Sequence, residues 1–448
     1  MQLGLENDIV TSVHCEGTVD RLKPHNVLRA VVPLSVVVLL LFVFPANGAS
    51  KSPFGKTIRE QVGVNIHFTA GQPGEMDELR DAGFGFVRMD FSWGDTEKQS
   101  GVYDFHQYDQ LLSDLDHRNI RALWILDYGN NLYDKGGNPV GVTARAAFAK
   151  WAAAVVTHFK GHRILWEMWN EPNPNWTPDY IKLAIATGQA IKAAAPQEYY
   201  VGPAEAGTDP TFLENLFKAG LLNYWCAVTV HPYRSSNPET STPEIRTIQA
   251  LIAKYKPAGA KISLVSGEWG YAVMPNENTY SFVKSDEQQA SYFDREILTN
   301  LANGLPLSIW YDWKNDGDNP NDTEANFGLV HFTYHASLPQ IYEPKPSYVA
   351  AKAFLTLLGD YQFASVNPVN PSTGSLIYTF ARHHNRRYVV YTTSDQPETV
   401  VVHLPAGNYS LEDMLGRKQP DLTSTATGAT ITLSGEPEFV IPARTFHP

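Results

Sequence analysis

The chain has 448 residues, 43% of them apolar and 18% charged, with 10 Trp, 22 Tyr and 21 Phe, a composition that excludes intrinsic disorder, collagen-like repeats and a disulfide-stapled miniprotein. Lys and Arg number 35 against 47 Asp and Glu, for a net charge of −12. An acidic chain without a basic run repels phosphate backbones, so nucleic acid is not an expected partner. Abundant aromatics without basic charge suit a neutral or cationic ligand with flat apolar faces, and sugars are such ligands.

Residues 1–50 read as a signal peptide or an N-terminal membrane anchor. The apolar run Ala30–Phe44 follows Arg21, Lys23 and Arg29 and precedes the small residues of Pro45-Ala46-Asn47-Gly48-Ala49. Its 15 residues fall short of the ~30 Å hydrocarbon core and match a signal-peptide apolar region. The expected location is therefore exported, secreted or periplasmic, with membrane association through residues 30–44 if the segment stays attached. Beyond it Cys226 is the single cysteine, so no internal disulfide forms. It is expected to be buried beside the strand run Ala227-Val228-Thr229-Val230 rather than to act as a nucleophile.

From residue 55 to 358, short β-like runs alternate with longer helical patterns. The predicted strands are Val62–His67, Phe86–Phe91, Ala122–Asp127, Ile164–Trp169, Tyr199–Pro203, Ala227–Tyr233, Ile262–Glu268 and Leu307–Trp313. Between them, helices are predicted over Gly74–Ala82, Tyr108–His117, Arg145–Phe159, Tyr180–Ala194, Thr211–Lys218, Pro243–Tyr255 and Glu287–Asn303, with Pro346–Leu358 last. Such alternation implies parallel strands joined by right-handed crossovers, and over this length the closed solution is an α/β fold, the (β/α)8 TIM barrel. An open doubly wound sheet is the competitor, but the first strand–helix turn, Val64-Asn65-Ile66-His67-Phe68, lacks its glycine-rich signature. Residues 359–448 change character. Short alternating runs at Ser375–Arg382, Arg387–Thr392, Val400–Leu404, Tyr409–Asp413, Ala429–Leu433 and Phe439–Ile441, parted by turn residues, predict a small antiparallel β-sandwich packed directly on the barrel.

A barrel of this kind does its chemistry at the C-terminal ends of its strands. Those ends carry His67, Arg88-Met89-Asp90, Asp127-Tyr128, Asn170-Glu171, Glu205, His231-Pro232-Tyr233, Glu268-Trp269 and Trp310 to Trp313. Two carboxylates stand out. Glu171 ends an apolar strand beside Trp169, and Pro172 then stops the ladder; desolvation there should raise its pKa toward that of a general acid. Glu268 sits between Gly267 and Gly270, which are expected to let a ligand approach the backbone. A glycosidase that retains anomeric configuration needs its two carboxyl groups ~5–5.5 Å apart and an inverting one ~6.5–9.5 Å, a gap the sequence alone does not give.

Asn170-Glu171-Pro172 ending the fourth strand, with Glu268 ending the seventh, resembles the clan-A glycoside hydrolases, which are retaining (β/α)8 enzymes. The resemblance is closest to glycoside hydrolase family 39, whose signature is Trp-x-Phe-Glu-x-Trp-Asn-Glu-Pro-Asn or -Asp. From Glu167 to Asn173 every specified position matches, while Ile164 and Trp166 replace the first Trp and the Phe, which leaves family 5 open. The resemblance implies that Glu171 is the acid/base, that Glu268 is the nucleophile, and that Asn170 holds the sugar 2-hydroxyl. It further implies that Tyr233 hydrogen-bonds the nucleophile and that Arg88 keeps it ionised. No metal or organic cofactor is required by this chemistry.

The remaining candidates are expected to bind substrate. His67 and His231 are read as hydrogen-bonding groups, since a single histidine on strand one does not make a metal site. Tyr128 and Trp269 stand at the ends of strands three and seven. Trp93 and Trp176 fall in predicted loops, where an aromatic serves as a stacking platform. Trp310 and Trp313 cannot point the same way on one strand, and Trp310 is preferred for the cleavage subsite. Glu167, inside strand four, is expected to form a structural ion pair, and Glu205 is ambiguous between lip and loop charge. Asn315-Asp316-Gly317-Asp318-Asn319 lacks calcium-loop spacing and reads as a polar loop. The expected function is a retaining O-glycosyl hydrolase, endo-acting on an exported polysaccharide or oligosaccharide. The alternatives are a non-catalytic carbohydrate-binding protein and a transglycosylase.

Overall fold

Eight short parallel strands rich in β-branched and aromatic residues close on themselves in a computed structural model that describes residues 52–172, 174–276 and 280–443. The N-terminal segment read as a leader or anchor lies outside the described residues. Among those described, no helix is long and apolar enough to cross a membrane. The barrel strands are Val62–Asn65, Phe86–Ser92, Arg121–Asp127, Leu165–Met168, Tyr199–Ala206, Ala227–His231, Ser263–Trp269 and Ser308–Trp310. Each pairs with its sequence neighbour, and the first pairs with the eighth to shut the barrel. All eight expected helices cover the outside; Glu75–Ala82, for example, ends on Gly83 at φ +96°, a left-handed cap that glycine adopts without steric cost.

Alternation along the strands divides the interior into two layers. Phe86, Leu123, Ile125, Leu165, Val201, Ala227, Val265, Leu307 and Ile309 point inward and form a dry floor. The next inward residues toward the C-terminal mouth are polar or charged: Arg88, Asp127, Glu167 and His231, all fully or almost fully buried. Residues of opposite parity, such as Val87, Met89, Phe91, Trp124 and Trp166, pack outward beneath the helices in the main core. Cys226 packs against the floor, and burial pushes its thiol up to about 12, which leaves no thiolate for nucleophilic chemistry.

Residues from Gln362 onward form a six-stranded antiparallel sheet and a two-stranded sheet enclosing their own apolar cluster around Tyr388, Val390, Val402, Ile431 and Val440. The order of the larger sheet is Gln362–Asn370, Ser375–Arg382, Asn385–Thr392, Glu438–Pro442, Gly407–Glu412 and Lys418–Ser424. The first and last of these were not expected from the sequence. Both are edge strands, and each contains a proline (Pro368, Pro420), which an edge tolerates because only one of its two rows of backbone groups has to pair within the sheet. The sandwich docks directly on the barrel. Arg295 binds Glu239 through Nε and Nη2 at 2.9 and 2.8 Å, and Tyr391 of the sandwich donates to the same carboxylate at 2.9 Å.

Candidate active site

Three local departures from regular strand geometry aim polar groups into the barrel mouth. On the seventh strand, Ser266 and Trp269 pair with Ser308 and Trp310 of the eighth, so one strand spends three steps where its neighbour spends two. This bulge lets Glu268 turn inward directly after Gly267, while Trp269 turns out into the main core. At the end of the fourth strand, Trp169 and Glu171 take φ +65° and +47°, a region costly for residues with a Cβ. Hydrogen bonds from Trp169 N to Leu126 O (3.1 Å) and from Glu171 N to Ala204 O (2.9 Å) hold that turn. The fifth strand is irregular between Gly202 and Glu205, next to the same turn.

The glycines beside Glu268 do not open space for a ligand, contrary to expectation. A Cβ on Gly267 would meet Glu167 and Thr229 at 3.3 Å and His231 at 3.6 Å, and one on Gly270 would sit 1.9 Å from the Tyr311 carbonyl oxygen. Both are required by close internal packing, not by ligand access.

Arg88 organises the centre of the mouth. Fully buried, it donates from Nε to Glu167 (2.7 Å) and from Nη1 to Glu268 (2.5 Å) and Asn65 (3.2 Å). Its Nη2 donates to Asn170 Oδ1 (2.8 Å) and faces His231 Nε2 at 3.3 Å. The Glu167–Arg88 ion pair is the structural one expected. On the other side of the ring, His231 Nδ1 donates to Glu171 Oε1 at 2.8 Å. Tyr233 donates to Glu268 Oε1 at 2.7 Å. Burial alone would raise the Glu268 carboxyl, but His231, Arg88 and Tyr233 outweigh it and hold the group below the usual carboxylate range.

One carboxylate oxygen of Glu171 and one of Glu268 lie within 4.8 Å of each other, on the short side of the ~5–5.5 Å and ~6.5–9.5 Å classes. Both border a cavity of about 550 Å3 that is also lined by Asn65, His67, Arg88, Asp90, Tyr128, Asn170, His231 and Tyr233. The apolar enclosure expected for Glu171 is absent: its side chain is 39% exposed and its hydrogen-bond partner is His231. Asp127, buried behind Asp90, is raised well above the usual range by burial and by that neighbouring carboxyl.

None of the four expected tryptophans lines the cavity. Trp93 opens the short helix Trp93–Thr96, which carries it under the surface against Tyr133, Phe148 and Trp151, with its indole N–H on Glu97. Trp176 packs on Trp169 and Tyr180. Trp269 lies fully buried beneath Arg234, and Trp310 packs outward on Phe293. Parity explains Trp310: Ile309 belongs to the barrel floor, so Trp310 turns out and Tyr311 turns in. Trp313 is also buried, on Glu75.

The cavity wall instead contains Tyr311, Tyr280 and Glu324, which the sequence reading passed over. Glu324 accepts from Tyr280 at 2.9 Å and from Tyr311 at 3.4 Å. Tyr311 was readable from strand parity; Tyr280 and Glu324 arrive on irregular loops with no periodic signal. Glu205 is buried and pushed up to about 7 by that burial; it accepts from Asp209 N at 2.9 Å and does not line the cavity.

A family model described as cellulase (glycosyl hydrolase family 5) matches residues 53–317. A search of curated proteins finds no match. Among solved structures, a family 39 glycoside hydrolase from Bacteroides cellulosilyticus is similar at TM-score 0.74 and 24% identity, over 87% of this chain and 81% of that one. A family 39 β-xylosidase from Caulobacter crescentus is similar at TM-score 0.59 and 18% identity, over 87% and 98%. A family 30 endoxylanase from Clostridium papyrosolvens is similar at TM-score 0.59 and 13% identity, over the same shares. At these identities the structural likeness is one of fold.

Proposed function

We propose, from the premise that the chain belongs to the cellulase family (glycosyl hydrolase family 5) and is a retaining glycosidase of the clan-A barrel type, that Glu268 is its nucleophile and Glu171 its acid/base. The approach of the two carboxylates to within 4.8 Å carries this reading. Glu268, ionised by Arg88, His231 and Tyr233, attacks the anomeric carbon as the glycosidic C–O bond breaks. Glu171 gives its proton to the departing oxygen. In the second half, Glu171 takes a proton from water, the water oxygen bonds to the anomeric carbon, and the Glu268 ester is released. Asn170, its carbonyl fixed by Arg88, is left with its amide N–H groups for a sugar hydroxyl. His231 orients Glu171 through Oε1, which leaves the second oxygen to carry the transferred proton.

Within the clan, the motif Glu167–Asn173 and the fold likeness at TM-score 0.74 support a place beside family 39. The proposed substrate is an exported polysaccharide cut internally. Tyr128 and Tyr280, 44% and 53% exposed at the cavity, offer faces on which a chain running past the cleavage point can stack. The apolar segment Ala30–Phe44 supports export. Removal of single terminal residues is the second reading, favoured by the presence of a β-xylosidase among the similar structures. Glu268→Gln should abolish turnover while sugar binding persists; undiminished hydrolysis by that variant overturns the assignment. Sizing the products from defined oligosaccharides separates internal from terminal cleavage, and their initial anomeric form by NMR must match that of the substrate.

A further inference from the structure

A second group of ligand-type side chains lies beside the cavity, apart from the glutamate pair. His67 past the first strand, Asp312 past the eighth and Asp316 four residues later each offer one donor atom within 4.8 Å of the others. Asp312 is fully buried, and neither of its oxygens makes a hydrogen bond. His67 Nε2 stands 3.4 Å from Asp312 Oδ2 without hydrogen-bonding geometry. The buried ammonium of Lys345 is engaged elsewhere, 3.5 Å from Asp286 and 3.4 Å from the Asn326 carbonyl. Lys314 in turn lies 3.6 Å from Glu75. A buried carboxylate stripped of water calls for a positive partner; among the described residues His67 comes within ion-pair range of Asp312 at 3.4 Å, yet neither Asp312 oxygen is hydrogen-bonded.

A separate cavity of about 240 Å3 opens onto the three side chains, with room for several waters. An imidazole nitrogen and two carboxylate oxygens make a donor set for a divalent ion of the zinc class, bound at ~2.0–2.2 Å. Donors on such an ion stand at most about 4.4 Å apart, twice the bond length, so the exposed Asp316 side chain closes the remainder by a few tenths of an ångström. Calcium sites are built from six to eight oxygens, and the imidazole argues against one here.

We propose that His67, Asp312 and Asp316 bind a divalent transition-metal ion of the zinc class, with water completing its coordination. His67 lines both cavities and meets Tyr311 edge-on at 5.6 Å, so the ion braces the wall of the glutamate cavity from behind. The site does not depend on the glycosidase reading, and its test reads binding, not turnover.

The untagged full chain is stripped with a chelator and dialysed against micromolar Zn2+, and bound metal is counted by atomic emission. One equivalent per chain is expected. Asp316→Asn, a change at an exposed loop position, should weaken binding by about tenfold or more, the scale on which lost metal-supporting groups act. Glu171→Gln should keep the full equivalent. Asp312→Asn is the second variant, with circular dichroism to establish that each chain is folded. No bound zinc in the wild type, or equal binding by wild type and both aspartate variants, overturns the proposal. So does loss of zinc in Glu171→Gln alone, which would put the ion on the Glu171–His231–Glu268 cluster.

Discussion

Replacing Tyr233 with Phe removes one oxygen and keeps the ring, which leans on Tyr280, Tyr311 and Phe327. What disappears is the 2.7 Å hydrogen bond to Glu268 Oε1. A hydrogen bond to a charged group contributes about 1.5–3 kcal/mol, and ~1.36 kcal/mol corresponds to one pKa unit. Arg88 and His231 remain, so the Glu268 carboxyl should rise from its depressed position toward the usual carboxylate range. As the proposed nucleophile, Glu268 must be ionised in the free enzyme, so the acidic limb of kcat/KM moves to higher pH with it. On that limb the variant falls about 10–100-fold below wild type, because the ionised fraction drops tenfold per unit, while the plateau changes far less. The assay is kcat/KM against pH on a chromogenic glycoside. An acidic limb that stays in place while the rate falls evenly at every pH refutes the reasoning, since the hydroxyl would then be setting shape instead of charge.

Trp93→Ala should cost about 3–5 kcal/mol of stability by cavity formation and leave KM near wild type, measured by denaturant unfolding and steady-state kinetics; a large KM effect would restore its role as a sugar platform. Gly270→Ala forces a Cβ to 1.9 Å from the Tyr311 carbonyl, so a loss of at least about 1–3 kcal/mol is expected, seen as a lower melting temperature; an unchanged one would mean that the loop yields freely. Asp294 and Glu296 are fully buried, and none of their carboxyl oxygens has a hydrogen-bond partner; burial raises both carboxyls well above the usual range. Between the unfolded value of about 4 and these raised folded values the native chain holds more protons, so stability falls as pH rises through that window. The Asp294→Asn/Glu296→Gln chain should therefore melt above wild type at pH 8 by a margin that shrinks toward pH 4, followed by calorimetry; a margin constant with pH contradicts this.

The barrel was legible because its strands and helices differ in period, and every predicted strand and helix overlaps an observed one. Edge strands were harder. Gln362–Asn370 and Lys418–Ser424 break the apolar alternation with Pro368 and Pro420, and what makes them edges is the order of the finished sheet. At the mouth, residue type was a good guide and direction was not. Glu171, Glu268, Asn170, Arg88, His67, Tyr128, His231 and Tyr233 do meet at one cavity, yet Trp269 and Trp310 turn away from it. A bulge at Gly267–Glu268 and left-handed residues at 169 and 171 override parity where function needs it. Tyr280 and Glu324 come from loops whose course is set by tertiary packing, so no local pattern announced them.

The prolines at both rims of the six-stranded sheet have a consequence for how copies of this chain meet at high concentration. A rim with a missing amide cannot serve as an uninterrupted template for a second copy, so growth of the sheet from one molecule into the next stalls at Pro368 on one side and Pro420 on the other. Replacing both with threonine would repair the two rows of donors, and at high concentration the result should be oligomers and fibrils built through the sandwich, with the catalytic mouth still open.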